Sequence, residues 1–390
     1  MVNVPIRKLR PGMITAQSIY NSKGGSYLTR GIAVNDQYID RLKKLGVQSL
    51  AVTSVSPEIA LPPPPDVVQE QTRVEAIHSV FSCFESMKKG MLKVEDVEKS
   101  SEKILVDVLN SKGSLVQLTD IRTHDTYTFA HSVNVAVLSA MLGMHLGFEK
   151  NELLLIIKGA MLHDIGKVAV PGEILTKAGR LTDNEMAVVR LHPEAGYRRI
   201  MASGIADAPI LAKMAAQHHE HISGKGYPNR LMGKDIHPYS RIVALADVYD
   251  ALTANRPYKQ PYRPHVAHRI MTTCSVGQFD EELMKKFFNT VALYPVGTVM
   301  KTNFGYGIVR ETAFGKTAVP TVILFTNRDG SLRETPKVVR MTDFPEVTVE
   351  SVTEEKDLFP LILQLRVDPN IYLKADADSY PEIKRLSELG

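Results

Sequence analysis

The sequence predicts a multi-domain, mainly α protein, in which an all-helical central domain follows a small α+β domain and precedes a small β-rich subdomain. Three observations predict this class. The chain has 390 residues, enough for two or three domains with a sizeable core. Its middle part contains long apolar segments with helical spacing. From Tyr294 onward, short β-rich segments alternate with turns that contain Gly or Pro.

The first predicted domain, residues 1–60, combines short strands with one helix. A Gly-containing turn at residues 21–25 separates two strand-like pieces. Residues 35–45 have helical spacing, and residues 47–55 are typical of a strand. Nothing in this domain indicates chemistry, so a regulatory role and a purely structural role both stay open.

Residues 61–111 are predicted to be a linker followed by connecting helices. Residues 62–65 are four consecutive prolines, which favour an extended, semi-rigid spacer. Residues 66–110 then show helical periodicity. In the first part of this segment, the pattern places five apolar residues on one helix face, namely Val74, Ile77, Phe81, Phe84 and Met87. We expect these helices to pack against the protein or against a partner helix.

Residues 112–292 are predicted to form the all-helical domain. Residues 131–146 are apolar nearly all round, which indicates a central helix. Thr182 and Glu185 have the spacing of a capping box and predict a helix that runs to about residue 191. The other predicted helices of this domain cover residues 152–162, 209–220 and 239–255.

The last two predicted parts are a β-rich subdomain, residues 293–350, and a helix and coil segment, residues 351–390. The predicted strand segments are residues 295–300, 306–310 and 321–326. Residues 327–330, Asn-Arg-Asp-Gly, are typical of a hairpin turn between two strands.

Composition and charge limit the classes of partner and compartment. Hydrophobic residues make up 44% and charged residues 23% of the chain, which is ordinary for a globular protein. A net charge of +4 indicates neither a nucleic-acid polymer nor an anionic membrane as partner. The two cysteines have no spacing motif and fit a reducing compartment. The sequence shows neither a signal-peptide pattern nor an apolar stretch of about 20 residues, the length that a membrane-spanning helix needs. We therefore expect a cytoplasmic protein with no membrane insertion.

Histidine is concentrated in the predicted helical domain, because 11 of the 12 histidines fall within residues 124–268. His163 and Asp164 directly follow a predicted buried helix. Such polar groups need a partner for every polar atom, and a metal ion is one partner that satisfies both. Lys167 places a cation beside the pair, which suits an anionic ligand. The alternative is an ordinary helix C-terminus with Gly166 as the C-cap.

Seven side chains at helix ends or inside apolar helices form a candidate ligand set. They are His131, His163, Asp164, His192, His218, His219 and Asp247. Alone, His131 could be a core or capping histidine, His192 could mark a helix exit, and Asp247 could be half of a buried salt bridge. Together, the imidazoles and carboxylates are the complement for two divalent ions bridged by Asp164 and a hydroxide. Mixed nitrogen and oxygen ligands suit Fe, Mn or Zn.

His218 and His219 are adjacent on a predicted helix. Their side chains should therefore point about 100° apart, so that each can face a different metal ion. Leu211, Met214 and Ala215 share a face with His218 at helical spacing, which places His218 toward the core.

Several motifs together resemble the HD-GYP subgroup of HD-domain phosphohydrolases. In chain order, they are His163-Asp164-Ile165-Gly166-Lys167, His192-Pro193, His218-His219-Glu220-His221-Ile222-Ser223-Gly224-Lys225-Gly226-Tyr227-Pro228, Ala246-Asp247-Val248-Tyr249-Asp250-Ala251-Leu252 and Arg256-Pro257-Tyr258-Lys259. The resemblance covers residues 115–290, and the β segment that starts at Tyr294 is similar to what often follows this domain. It implies an HD-type fold for the helical domain.

The resemblance implies hydrolysis of cyclic di-GMP, a bacterial second messenger, to linear pGpG and in some members to GMP. The seven candidate ligands would hold two divalent metal ions, with Fe or Mn preferred and Zn, Ni or Mg as alternatives. Two ions about 3.5–4 Å apart can neutralise the phosphodiester and lower the pKa of bound water. Asp164 and Lys167 would be the catalytic residues. The substrate-binding residues would be Lys167, Gly226, Tyr227, Pro228, Arg256 and Lys259.

Three positions depart from the family pattern. Members with a third metal ion carry Glu where this chain has Tyr127, so we expect two ions. Ser223 replaces the usual Asp or Asn, and Arg230 replaces a common Gly. The changes at Ser223 and Arg230 could reshape the loop around Gly226-Tyr227-Pro228. They could thereby alter the rate of hydrolysis or the choice of substrate without affecting the candidate metal ligands.

Two alternative functions stay open from the sequence. The first is a catalytically weak cyclic-dinucleotide-binding module that signals through residues 1–110. The second is a phosphodiesterase for a related cyclic dinucleotide such as 3′,3′-cGAMP. Residues 1–110 are also the candidate surface for a homodimer or a signalling-protein partner.

Overall fold

The fold is described from a computed structural model of the chain. The described residues are 2–16, 18–20, 26–29, 31–44, 47, 49–52, 66–111, 115–116, 127–177, 179–254, 261–374 and 379–389. The predicted turn at residues 21–25 and the four prolines at residues 62–65 lie outside this set. The same holds for Arg256 and Lys259, two of the predicted substrate-binding residues.

The N-terminal part contains two small antiparallel strand pairs and one helix. Its elements are β1 (Val2–Pro5), β2 (Ile19–Tyr20), β3 (Ser26–Leu28), α1 (Asp36–Lys44) and β4 (Ser49–Val52). β1 pairs with β4, and β2 pairs with β3. Leu42 of α1 packs with Leu50 and Val52 of β4 in a small core of its own. The mixed α and β character predicted for this part is confirmed.

Two helices follow, α2 (Glu70–Lys88) and α3 (Glu95–Asn110). The helical periodicity predicted for residues 66–110 is therefore confirmed. The buried stripe of α2 differs in part from the prediction, because Arg73 and Val80 are buried whereas Val74 is only half-buried. Both helices contribute to the same apolar core as the following helical domain.

The described part of the central domain consists of helices and of the turns and loops that join them. Its helices are α4 (Tyr127–His145), α5 (Lys150–Leu162), α6 (Gly172–Leu175), α7 (Asp183–Val189), α8 (His192–Ala202), α9 (Ala208–Gln217), α10 (Pro238–Thr253), α11 (Pro264–Thr273) and α12 (Glu281–Thr290). α4 packs against α2, α5 and α10, and its residues 130–143 are all buried. This confirms the predicted central helix. Among the helices that the structure describes, none is long and apolar enough to cross a bilayer.

The predicted capping box is present at the start of α7. The Glu185 backbone N–H donates to the Thr182 hydroxyl oxygen, and the Thr182 backbone N–H donates to the Glu185 carboxylate. α7 ends at Val189, earlier than predicted. His192 does not mark a helix exit but begins α8, because Pro193 is tolerated in a first turn where no backbone N–H is needed.

A five-stranded antiparallel sheet follows the helical domain. Its strands are β5 (Val299–Thr302), β6 (Gly305–Glu311), β7 (Thr321–Thr326), β8 (Leu332–Arg340) and β9 (Val349–Val352), in the order β8-β7-β6-β5-β9. The predicted hairpin turn at residues 327–330 joins β7 to β8. β9 runs across the division predicted at residue 350. Helices α13 (Glu355–Leu365) and α14 (Ile371–Lys374) follow, and apolar residues of both pack against the sheet.

Candidate metal centre

The seven predicted ligands come from five places in the helical domain. α4 carries His131, α10 carries Asp247, and the turn after α5 carries His163 and Asp164; α8 begins with His192, and His218 and His219 follow α9. Apart from the half-buried His219, all of these residues are buried, and His163 is completely inaccessible to solvent. The structure therefore brings the whole predicted set together in the interior of the domain.

The Asp164 carboxylate lies between two groups of imidazoles. Its Oδ1 atom is 3.3 Å from His192 Nε2 and 3.9 Å from His218 Nε2. Its Oδ2 atom is 3.4 Å from His163 Nε2 and 3.9 Å from His131 Nε2. Each oxygen of this carboxylate thus faces a different pair of histidines.

Asp247 connects the two sides of the cluster. One of its oxygens is 3.1 Å from His131 Nε2, and the other is 3.8 Å from His219 Nδ1. Three overlapping groups have donor atoms that all lie within 4.8 Å of one another. These groups are His192, His218 and His219; His131, His163 and Asp164; and His163, His218 and Asp247. All seven predicted ligands occur in at least one group.

Backbone carbonyls fix the orientation of three of the imidazoles. The Nδ1 atom of His163 is 2.7 Å from the Ala160 carbonyl oxygen, three residues earlier in the chain. The same contact recurs at His192 and at His218, with distances of 2.8 and 2.9 Å. Because a carbonyl only accepts, Nδ1 carries the hydrogen and the Nε2 lone pair faces the cluster. This tautomer is the one that an Nε2 metal ligand requires.

Two buried polar atoms of the cluster have no hydrogen-bond partner among the described residues. They are His163 Nε2 and Asp164 Oδ1. Buried polar atoms are nearly always paired, so such atoms call for an explanation. A cation coordinated at this point would satisfy both, because one atom offers a lone pair and the other a negative charge. The residues present therefore fit a metal ion.

The protonation states of His218, His219 and Asp164 also favour cation binding, whereas at His131 burial is outweighed by the carboxylates of Asp247 and Asp250, which raise the pKa to about 9. Burial lowers the pKa of His219 to about 3, and burial together with His219 holds the pKa of His218 well below its usual value. Burial alone would raise the pKa of Asp164, but Lys167 and His163 outweigh it and hold that pKa well below its ordinary range. Two neutral imidazoles and an ionised carboxylate are the forms that bind metal.

Lys167 and Gly166 lie in the 3₁₀ turn Ile165–Ala169 that follows the His163-Asp164 pair. The Lys167 ammonium is 2.5 Å from Asp164 Oδ2 at the half-buried edge of the cluster. Gly166 is not a helix C-cap, in contrast to the alternative considered above. A Cβ atom there would overlap the His192 carbonyl oxygen and lie 2.5 Å from the Gly196 nitrogen. Gly166 thus allows α8 to approach the turn closely.

The Gly226-Tyr227-Pro228 segment lies against His219. The Tyr227 ring stacks on the His219 ring with 4.8 Å between centroids, and the Tyr227 backbone N–H donates to the His219 carbonyl. A Cβ atom on Gly226 would lie 2.5 Å from that same carbonyl oxygen. Pro228 is half-buried beside Tyr227. The segment therefore supports one of the predicted ligands from the outside of the cluster.

Comparison with known proteins is consistent with this geometry. The HD domain family model matches residues 103–283. A cyclic di-GMP phosphodiesterase of Pseudomonas aeruginosa is 31% identical, and the match covers 83% of this chain and 84% of that protein. The chain belongs to the HD-GYP phosphodiesterase family.

Other HD-GYP relatives match shorter parts of the chain. A cyclic di-GMP phosphodiesterase of Thermotoga maritima is 31% identical over 53% of this chain and 56% of its own length. A 3′3′-cGAMP-specific phosphodiesterase of Vibrio cholerae is 36% identical over 49% of this chain and 35% of its own length. HD-domain phosphohydrolases are metal-dependent, and the His and Asp cluster is the candidate metal site of this HD-GYP protein.

The sequence interpretation assigned no role to two buried carboxylates near the HD-GYP centre. Asp250 Oδ2 is 2.6 Å from His131 Nδ1, so Asp250 orients that ligand as the carbonyls orient the others. Its position three residues after Asp247 on α10 was a usable signal, because such residues share a helix face. Glu220 accepts hydrogen bonds from the backbone N–H groups of Asn229 and Leu231, at 2.7 and 3.0 Å.

Glu220→Ala is expected to lower the free energy of unfolding by about 2–3 kcal/mol. The substitution removes two hydrogen bonds to a buried carboxylate and releases the loop that follows Pro228. Urea denaturation of the metal-free protein measures the change. The matched control is Glu194→Ala, which removes an exposed ion pair with Arg198 and should cost no more than about 0.5 kcal/mol. Equal losses in the two variants would contradict this role of Glu220.

Arg230 occupies the position where HD-GYP members commonly have Gly, and its backbone explains that preference. Its φ angle is +56°, in the left-handed region that L side chains rarely adopt. We expect Arg230→Gly to raise the free energy of unfolding by up to about 1 kcal/mol, since the strain exceeds the extra entropy cost of Gly. Arg366→Gly, at a second left-handed position that directly follows α13 and lies outside this loop, is the control. A less stable Arg230→Gly protein would show that the Arg side chain stabilises the loop.

The other departures give less information. Ser223 is half-buried, forms an isolated bridge with Met232, and donates its backbone N–H to the Gly277 carbonyl. These contacts use its backbone, so they are equally available to Asp or Asn. Tyr127 is the first residue of α4.

Proposed function

We propose that this HD-GYP protein hydrolyses cyclic di-GMP to linear pGpG, with GMP as the further product to test. The observation that carries the proposal is the buried cluster of seven nitrogen and oxygen ligands, in which His163 Nε2 and Asp164 Oδ1 lack a hydrogen-bond partner among the described residues. The substrate is taken from relatives that bear the name cyclic di-GMP phosphodiesterase, one of which aligns over most of the chain.

We propose further that the cluster holds two divalent ions, with Asp164 shared between them. The ligands assigned to one ion are His131, His163, Asp247 and Asp164 Oδ2, and those assigned to the other are His192, His218, His219 and Asp164 Oδ1. The division follows the two faces of the Asp164 carboxylate and two of the three donor groups within 4.8 Å, whereas the third group, His163, His218 and Asp247, joins the two sides. The mixture of imidazole and carboxylate suits Fe or Mn, with Zn, Ni or Mg as alternatives.

Divalent ions, when bound, supply charge neutralisation and a nucleophile derived from water near neutral pH. The phosphodiester phosphorus is attacked by the oxygen of water, and the bond to the ribose 3′ oxygen breaks. One ring opening leaves a linear dinucleotide with a 5′ phosphate and a free 3′ hydroxyl. Within the chain, Asp164 would help to hold the two ions. Lys167, at the half-buried edge of the cluster, is assigned to the scissile phosphate, where the Lys167 ammonium offsets the negative charge that develops.

The remaining substrate contacts are proposals from the family pattern. Arg256 offers a planar fork and Lys259 a point charge for the two phosphates of a cyclic dinucleotide. Gly226, Tyr227 and Pro228 are assigned to one wall of the pocket. Since Tyr227 stacks on His219, its contribution would include holding that ligand while the substrate is bound.

The substrate assignment is tested by comparing kcat/KM for cyclic di-GMP and 3′,3′-cGAMP with the same metal-loaded preparation. The proposal predicts a higher kcat/KM for cyclic di-GMP and pGpG as the first product. A higher kcat/KM for 3′,3′-cGAMP would instead favour the substrate named for the 3′3′-cGAMP-specific relative of Vibrio cholerae. Tight binding of either dinucleotide without turnover would instead favour a signalling module.

We also propose residues 1–110 as the surface for a homodimer or a signalling-protein partner. The part of this region that the structure describes contains a separate small core and two helices joined to the catalytic domain. Sedimentation analysis of the full chain tests the homodimer. A monomer at all concentrations would leave the signalling partner as the proposal for this surface.

A further inference from the structure

A buried arginine outside the matched HD domain lies behind the metal centre. Arg73 belongs to α2, which precedes the matched residues 103–283, and it is only 1% exposed. Its Nε and Nη2 atoms donate to the two Asp66 carboxylate oxygens at 2.8 and 2.9 Å. Its Nη1 atom donates to the side-chain oxygen of Asn134 on α4 at 2.7 Å. The guanidinium therefore joins Asp66, just after the proline segment, to the central helix.

The hydrogen bonds continue from Asn134 to a predicted ligand. The Asn134 side-chain NH₂ donates to Asp250 Oδ1 at 3.0 Å, and Asp250 Oδ2 is 2.6 Å from His131 Nδ1. His131 Nε2 faces the cluster and lies 3.1 Å from Asp247. Asn134 and Asp250 are both buried, so this chain of contacts runs through the protein interior.

We propose that Arg73 is a positioning residue for the metal ion held by His131, an inference that rests on the proposed dinuclear centre. Both ends of the Asn134 amide are used, because its oxygen accepts from Arg73 and its NH₂ group donates to Asp250. An amide can rotate by 180° and exchange its acceptor with its donor. Because Arg73 can only donate, it holds the oxygen on its own side and directs the NH₂ toward Asp250.

A purely structural role would not need this arrangement. The Asp66 carboxylate already pairs with two guanidinium nitrogens, which satisfies the ion pair. The third nitrogen is used to orient Asn134 and, through it, Asp250 and His131. Without Arg73, the Asn134 side chain loses one of its two hydrogen bonds, so its NH₂ group is held less firmly against Asp250. His131 would then lose the fixed acceptor on Nδ1 that sets its ligand geometry.

The test is a Mn²⁺ titration of the full-length chain and of four variants. The electron paramagnetic resonance signal of the free ion reports how much Mn²⁺ is bound. The variants are Arg73→Met, Asn134→Ala, the double variant that combines them, and Lys158→Met. Lys158 is a control, because it is a buried cation that pairs with the partly exposed Asp207, which is not one of the predicted ligands. Thermal unfolding of each protein without metal reports the structural cost separately from Mn²⁺ affinity.

We expect two Mn²⁺ binding steps in the wild-type chain. In Arg73→Met, the affinity of one step should fall by about 10- to 100-fold, because removal of a group that hydrogen-bonds to a metal ligand typically has an effect of this size. Asn134→Ala should weaken the same step by a similar factor. The double variant should be no weaker than the worse single variant, since both act through one path. Lys158→Met should lower the unfolding temperature and leave both steps unchanged.

Two results would overturn this role of Arg73 while leaving the metal centre intact. One is Arg73→Met with both binding steps as in the wild type, whatever its unfolding temperature. The other is an equal weakening of both steps in Arg73→Met and Lys158→Met, which would reflect general destabilisation. Wild-type protein that binds no Mn²⁺ would overturn the dinuclear centre itself, and this inference with it.

Discussion

Asp164→Asn is expected to reduce turnover of cyclic di-GMP by at least about 10³-fold, equivalent to about 4 kcal/mol of transition-state stabilisation. The substitution preserves the size of the side chain but replaces a carboxylate oxygen by an NH₂ group, which cannot ligate a cation. Both oxygens of Asp164 face imidazole nitrogens in the interior, so no alternative orientation restores both contacts. The bound metal should fall from about two ions per chain to one or none. Product formation and metal content are measured on the same preparation.

The matched control for this variant is Asp107→Asn. Asp107 is also buried and accepts hydrogen bonds from Gln69, but it lies between α2 and α3, away from the cluster. This variant should lose stability and retain turnover and metal. An Asp164→Asn protein with turnover within about tenfold of the wild type would show that the carboxylate is not central to the reaction.

Gly166→Ala should have the second-largest effect, on both stability and activity. The added methyl group would overlap the His192 carbonyl oxygen and approach the Gly196 nitrogen, and both are backbone atoms that cannot turn aside. We expect a loss of about 3 kcal/mol in the free energy of unfolding, the upper end for overpacking. Because α8 carries His192, a shift of about 1 Å should also cost about 10²-fold in activity.

Gly172→Ala provides the comparison, since a Cβ atom on Gly172 would have no neighbour within 4 Å. We expect its free energy of unfolding to stay within about 0.5 kcal/mol of the wild type. Urea denaturation measures stability, and kcat/KM for cyclic di-GMP measures the site. Equal stability of Gly166→Ala and Gly172→Ala would contradict the close approach of α8 to the His163-Asp164 turn.

The sequence was most informative where local pattern and residue type point to the same conclusion. The Thr182 capping box and the hairpin turn at residues 327–330 depend on neighbours a few residues away, and both are present. The helical domain was predicted for the same reason, from periodicity within single segments. His218 was placed toward the core by its spacing from Leu211 and Met214, and it is 2% exposed.

The sequence was less informative where long-range packing decides the outcome. The predicted hairpin turn implies a strand after residue 330, but Pro336 and several charged residues obscure the strand pattern of β8 itself. Its position at one end of the sheet tolerates both features. The apolar pattern of α2 predicts Val74 and its apolar neighbours as the buried face and gives no signal for Arg73. The contact that gives Arg73 a role is with Asn134, which is 61 residues away in the chain.

The most direct test of the account is metal and product analysis of protein purified without oxygen and incubated with cyclic di-GMP. The account predicts about two divalent ions per chain and conversion to linear pGpG, with both lost in Asp164→Asn. Cyclic di-GMP that stays intact at a stoichiometric concentration of metal-loaded protein would contradict the proposed activity, and protein that binds no metal would contradict the site on which it depends.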